Sequence, residues 1–211
     1  MPDGKHNVYL NPLTERYASE AMSRIFSPDK KFGTWRRLWI ALAEAERELG
    51  IADITEEQIE ELKKYADDIN YADAEARERE VRHDVMAHVH AYGLQAKKAA
   101  PIIHLGATSA YVGDNADIIQ MKEALSLLAD KLARLMKNLA DFALAYKDLP
   151  TLGFTHFQPA QLVTVGKRAA LWLQDFYYDY RDVLSLAESL PLLGVKGTTG
   201  TQASFLELAG G

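Results

Sequence analysis

Apolar residues recur along this chain at steps of three and four, the spacing of one face of an α-helix. Ser27 followed by Pro28 reads as an N-cap with proline in the first turn. Behind it Phe32, Trp35, Trp39, Leu42 and Leu49 form one stripe, and Gly50 ends the helix. Thr55 and Gln58 stand at capping-box spacing and open a shorter helix through about Ala66. A further helix is expected from Arg82 to Leu94, with Val85, Val89 and Tyr92 on its stripe. The longest signal runs through Ile118, Met121, Leu125, Leu128, Leu132, Leu135, Leu139, Phe142, Tyr146 and Leu149 without a miss. Asp114 or Asn115 can cap its start, and Pro150 stops it. About 35 residues at 1.5 Å rise make a rod on the order of 50 Å long.

A second rod is expected after a loop over residues 151–158. Its stripe is Leu162, Val165, Ala169, Trp172, Phe176, Val183, Leu186 and Leu190, with Asp179 the polar intruder and Pro191 the stop. Met136, Leu173 and Ala187 widen the two stripes beyond what a pair of rods can bury against each other, as a multi-helix bundle requires. No alternating strand pattern competes. The expected fold is all-α, with a small N-terminal helical domain over residues 1–112 and the first part of a long-helix bundle over 113–211.

Composition narrows the function. The 211 residues are 48% hydrophobic and 26% charged, enough to bury a sizeable core. Net charge is −6, and Lys and Arg never run longer than two, so no basic stripe addresses nucleic acid or anionic lipid. The absence of cysteine excludes disulfides, zinc–thiolate sites and cysteine nucleophiles. No apolar stretch approaches membrane-spanning length, and residues 1–17 lack the apolar centre of a leader. A soluble, cytoplasmic protein is the expectation.

Three breaks between helices carry more polar chemistry than turns need. They read Glu80-Val81-Arg82-His83-Asp84, His104-Leu105-Gly106-Ala107-Thr108-Ser109 and Gly153-Phe154-Thr155-His156-Phe157-Gln158-Pro159. Each is expected to precede or open a helix, where backbone N–H groups and the positive end of the dipole favour an anion. Taken singly, each has a plain structural reading: a surface ion pair at Arg82–Asp84, cap residues at Thr108–Ser109, a satisfied histidine at His156. Metal binding is not expected, because His83 and His90 lie two turns apart with no local Asp or Glu completing a ligand set, and His88 and His90 face nearly opposite ways. Gly194 to Thr201 is rich in donors but matches neither a P-loop nor a dinucleotide fingerprint.

Together, Arg-His-Asp, then Gly-x-Thr-Ser, then Thr-His-x-Gln-Pro-Ala between long helices resemble the fumarase/aspartase superfamily. Within it the chain is similar to the adenylosuccinate lyase family. The resemblance runs through Arg16-Tyr17-Ala18-Ser19, Phe32 to Gly50, Arg82 to His88, Ile103 to Ser109, Gly153 to Ala160 and Val195 to Phe205. It implies elimination of fumarate from a succinylated purine nucleotide: a base removes a proton beside a carboxylate while an acid protonates the departing nitrogen. By the same resemblance His156 is that acid, with Thr155 and Gln161 positioning it or the succinyl group. Thr108 and Ser109 hold substrate by hydroxyl and backbone donors. Arg16 and Tyr17 bind the nucleotide, at its phosphate, and Arg82, His83 and Asp84 form another binding segment. His83 is the second histidine of the reaction, and His104 contacts phosphate.

The resemblance also implies no cofactor, a small-molecule substrate, and a homotetramer with shared active sites. The family's Gly-Ser-Ser-x-Met-Pro-x-Lys-x-Asn-Pro loop, whose serine is taken as the base, is not among these residues. The parent protein is therefore expected to be longer, and these residues alone inactive. Two other readings remain: another superfamily lyase, such as argininosuccinate lyase or fumarase, and a helical interaction module without catalysis.

Overall fold

The computed structural model describes residue 9 and residues 11–210. The N-terminal stretch read for a leader lies largely outside them. The elements are α1 (Pro12–Arg16), α2 (Glu20–Ile25), α3 (Pro28–Glu48), α4 (Glu56–Lys64), α5 (Tyr71–Val81), α6 (Asp84–Gln95), a 3₁₀ turn (Ala100–Ile102), α7 (Ala110–Ala145), strands β1 (Pro150–Thr155) and β2 (Gln158–Thr164), α8 (Val165–Ser189) and α9 (Ala203–Leu208). The chain is mostly helical, as its periodicity demands.

Residues 1–120 and 191–211 form one compact unit, residues 121–190 another, and α7 runs through both. The expected boundary at 112/113 lies in the first turn of α7. The core of the first unit is built on α3. Ser27 caps this helix by accepting from the Lys30 N–H, and Trp35, Trp39, Leu42 and Ala43 are buried along it. Tyr92 and Val85 of α6, Ile59 and Leu62 of α4, Val112 and Ala116 of α7, and Phe205 of α9 complete the cluster. The two indoles are each 1% exposed, and side chains of that size dominate the energy of a core.

Two charged groups lie inside this unit. The Arg36 guanidinium donates to the backbone oxygens of Tyr65 and Asp68 and to the Asn70 side chain, and it stacks over Tyr92 at 4.2 Å. It thereby ties the α4–α5 connection to α3. Glu46 is 2% exposed, and neither carboxylate oxygen has a hydrogen-bond partner. Burial pushes its carboxyl up to about 7 from an ordinary value near 4.5.

The folded state thus holds that proton more tightly than the unfolded chain. The resulting stabilisation is full below about pH 4.5 and is lost as pH rises through about 7. Glu46→Gln, which stays neutral, is expected to gain in Tm over the wild type progressively between pH 4.5 and 8. A Tm difference that does not vary with pH would show that Glu46 ionises as it does in water.

Four local expectations need correction. α7 starts at Ala110, its first amides donating to the carbonyls of Thr108 and Ser109, and not at Asp114 or Asn115. Asn115 is buried because its side chain is used elsewhere: it donates to Tyr111 O and Gly194 O and accepts from Gly194 N–H. α5 was not foreseen, since its turns are almost wholly charged and alanine-rich, with only Ala74 buried. The 151–158 segment is a β-hairpin and not a loop. Finally, α8 starts at Val165, because Thr164 caps it by accepting from the Lys167 N–H. Leu162, read as the first residue of that stripe, is a strand residue left 71% exposed.

Candidate active site

Among the described residues, four other than glycine have positive φ: Arg82, His104, His156 and Phe157. The left-handed region costs such residues free energy and is held only where the surroundings enforce it, often at functional sites. Three of the four are expected site residues, one from each of the three polar breaks.

The first break is a helix-to-helix corner. Arg82, at φ 54°, ends α5, its N–H donating to Glu78 O. The next residue, His83, turns extended and caps α6, its Nδ1 accepting from the Met86 N–H at 3.4 Å. Asp84 Oδ1 accepts from the Val85 N–H at 2.8 Å and lies 3.7 Å from His83 Nδ1. All three side chains remain exposed at the start of α6, where the dipole favours an anion. Capping and exposure are compatible, because a histidine that caps through Nδ1 keeps Nε2 for another partner.

The second break leads into α7. His104 is half-buried at φ 65°, and its Nδ1 accepts from the indole N–H of Trp39 at 3.0 Å. Burial, with a smaller contribution from the charge of nearby His83, lowers its pKa to about 4. His83 and His104 are thus brought into electrostatic range of each other. Gly106, at φ 66°, leaves no space for a side chain: a Cβ there would come within 2.8 Å of the Phe205 ring. Ser204 Oγ donates to Gly106 O at 2.6 Å, and Thr108 N–H donates to Lys196 O at 3.1 Å. The segment from Val195 to Leu208 therefore clasps the loop carrying His104, Thr108 and Ser109. Sequence reasoning missed this clasp and the Trp39 bond. Gly106 was the available signal, since a glycine between polar residues marks a close approach.

The third break, in the second unit, does not open a helix as expected. β1 and β2 pair antiparallel, with Thr155 opposite Gln158, so His156 and Phe157 are the two tip residues of a tight hairpin. Their φ values of 48° and 61° are those of a type I′ turn, which usually takes Asn-Gly because both positions are left-handed. A bulge falls between Leu152 and Phe154, where a Cβ on Gly153 would lie 2.7 Å from Gln161 O. At the base of the hairpin the first residues of α8 are tied to the turn that follows α7, Val165 N–H donating to Leu149 O and Gly166 N–H to Tyr146 O. A Cβ on Gly166 would meet Ala143 O at 2.3 Å, so α8 starts as close to α7 as backbone allows. This rigid base holds a solvent-exposed imidazole at the tip. Thr155 and Gln161 are also exposed, in β1 and β2.

Arg16 and Tyr17 end α1, both exposed, Tyr17 by 77%. Among the described residues no group of three or more His, Asp and Glu side chains is arranged to hold a metal ion.

The family described as Lyase matches residues 17–205. Adenylosuccinate lyase of Saccharomyces cerevisiae is 53% identical over 210 residues, covering 99% of this chain and 43% of that protein. The adenylosuccinate lyase of Schizosaccharomyces pombe is 52% identical over 205 residues, or 96% and 42%. Among solved structures, a 3-carboxy-cis,cis-muconate lactonizing enzyme from Pseudomonas putida superposes with a TM-score of 0.82 at 26% identity, covering 94% of this chain and 46% of that one. The chain spans less than half the length of these relatives.

Proposed function

Because the chain belongs to the Lyase family, we propose that the whole protein carrying it is an adenylosuccinate lyase. It releases fumarate reversibly from adenylosuccinate, giving AMP, and from the succinylated imidazole-carboxamide nucleotide SAICAR, giving AICAR, in purine biosynthesis. The observation that carries this reading is the 53% identity to the yeast adenylosuccinate lyase over nearly the whole chain.

In the reaction, a base takes a proton from the carbon beside a carboxylate. The electron pair becomes the new carbon–carbon double bond, the carbon–nitrogen bond breaks, and an acid protonates the departing nitrogen. His156 is that acid; a left-handed hairpin tip on a pinned base supports fixed placement of its proton. Thr155 and Gln161, on the two strands beside it, orient the imidazole or the succinyl group. Negative charge gathers on the carboxylate as the carbanion forms, and fixed donors lower that barrier most when they are set beforehand. Thr108 and Ser109, at the clasped start of α7, supply them.

Arg82, His83 and Asp84 bind substrate at the start of α6, with His83 the second histidine of the reaction. His104 contacts phosphate. Arg16 and Tyr17 grip the nucleotide, where a guanidinium fork suits a phosphate. The base is assigned to none of these residues, and no cofactor takes part. The protein acts as a homotetramer with shared active sites, which the exposure of His156 and of Leu128, Leu135, Phe142 and Trp172 supports. In this reading the protein works in the cytoplasm; no described helix is long and apolar enough to cross a membrane.

Nucleotide recognition separates this reading from other lyases of the superfamily. The whole protein is expected to bind AMP, and Arg16→Ala to weaken that binding by roughly tenfold to a hundredfold, the worth of one charged hydrogen bond at about 1.5–3 kcal/mol. Calorimetry showing no AMP binding would remove the purine nucleotide from the reading. Equal affinity in the variant would remove Arg16 from the site.

A further inference from the structure

We propose that Trp39 is a positioning residue that locks His104 as the Nε2–H tautomer, making it a neutral hydrogen-bond donor to a substrate oxyanion. This rests on the purine-lyase reading for the identity of the oxyanion, but not for the tautomer.

The indole of tryptophan can only donate. Its bond to His104 Nδ1 at 3.0 Å therefore requires a lone pair on that nitrogen. A neutral imidazole with a lone pair on Nδ1 carries its proton on Nε2, and Nε2 makes no hydrogen bond to another described residue. Trp39 cannot swing away to release the ring: it is 1% exposed, edge-on to Trp35 at 6.2 Å and against Tyr92 at 6.1 Å. His104 is equally constrained, by its left-handed backbone and by the clasp on Gly106 and Thr108.

Protonating the ring would set two N–H groups against each other across that 3.0 Å, in a half-buried position within electrostatic reach of His83. Burial and that neighbour act in the same direction, holding the pKa near 4. His104 consequently neither accepts a proton in the reaction nor carries charge at neutral pH. It offers one fixed N–H, and an oxyanion binds it by that bond alone. The acid–base work falls to other histidines.

The test uses the whole protein, deuterated and labelled with ¹⁵N at histidine, His104 being assigned by the signal lost in His104→Asn. In the wild type the Nδ1 resonance is expected at an unprotonated position with Nε2 protonated, and no titration above about pH 5. Adding AMP is expected to shift Nε2 while Nδ1 stays unprotonated. Trp39→Phe keeps the ring and removes the donor. In it both tautomers are expected, with the titration midpoint raised by about one pH unit or more and the acid limb of kcat/KM moved by the same amount.

A proton on Nδ1 in the wild type, or one acquired on adding AMP, would overturn the proposal, as would an unchanged His104 signal in Trp39→Phe. The wild-type spectrum decides the tautomer even where the variant fails to fold. A protein with the expected spectrum but no fumarate release would instead count against the lyase reading.

Discussion

His156→Ala in the whole protein is expected to lower kcat by about two to four orders of magnitude, the usual worth of a positioned proton-transfer group. Stability should hardly change, because the side chain is solvent-exposed and belongs to no core cluster. The hairpin is kept by its strand pairing and by the bonds from Val165 and Gly166 to the turn that follows α7, none of which uses the imidazole. Alanine does tolerate φ of 48° poorly. His156→Asn is the better companion, since asparagine takes the left-handed conformation readily and carries no exchangeable acid. Equal losses in both variants, with AMP affinity within a few-fold of wild type, would assign the effect to the proton. A loss in the alanine variant alone would assign it to the turn, and near-normal kcat in both would take His156 off the catalytic list.

Arg36→Met is expected to destabilise the protein by roughly 3 kcal/mol or more. It removes the charged donor from the Tyr65 and Asp68 backbone oxygens and from the Asn70 side-chain oxygen at once. Asp68 O keeps its bond from the Gln95 side chain, and each of the other two bonds to a charged group is worth about 1.5–3 kcal/mol. Methionine restores most of the stem's packing, so the loss reads the hydrogen bonds and not an empty cavity. Arg36→Lys should recover only part of it, because an ammonium cannot spread over three acceptors as the planar fork does. Chemical denaturation of the three proteins gives the comparison. A methionine variant as stable as wild type would mean the connection between α4 and α5 is held by other contacts.

Helices α3, α4 and α6 were legible because one face of each is buried, and α7 and α8 because their apolar stripes are long, although much of those stripes is exposed. Trp35, Trp39 and Leu42 announce α3 because burial selects the spacing, and Ser27 and Thr55 mark their helix starts because a cap bond selects the residue type. α5 was illegible for the converse reason, its charged turns burying almost nothing. The hairpin escaped because period-2 patterning appears only where one face of a strand is buried. Here Leu152, Phe154 and Leu162 are all exposed, and the tip is His-Phe where hairpins usually show Asn-Gly.

At the candidate site the residue types were readable from three polar breaks, but their conformations were not. Nothing in the letters announces that Arg82, His104 and His156 are left-handed, since that is imposed by a helix end, a clasped loop and a hairpin turn. The Trp39–His104 bond spans 65 residues of sequence and leaves no local trace. Both belong to the class of information that only a folded chain supplies.

Fumarate release by the whole protein, followed in parallel with adenylosuccinate and with argininosuccinate, tests the central claim most directly. The expected result is fumarate and AMP in equal amounts from adenylosuccinate, none from argininosuccinate, and a rate with adenylosuccinate that collapses in His156→Asn. Fumarate from argininosuccinate and not from adenylosuccinate, or release unaffected by His156→Asn, would contradict it.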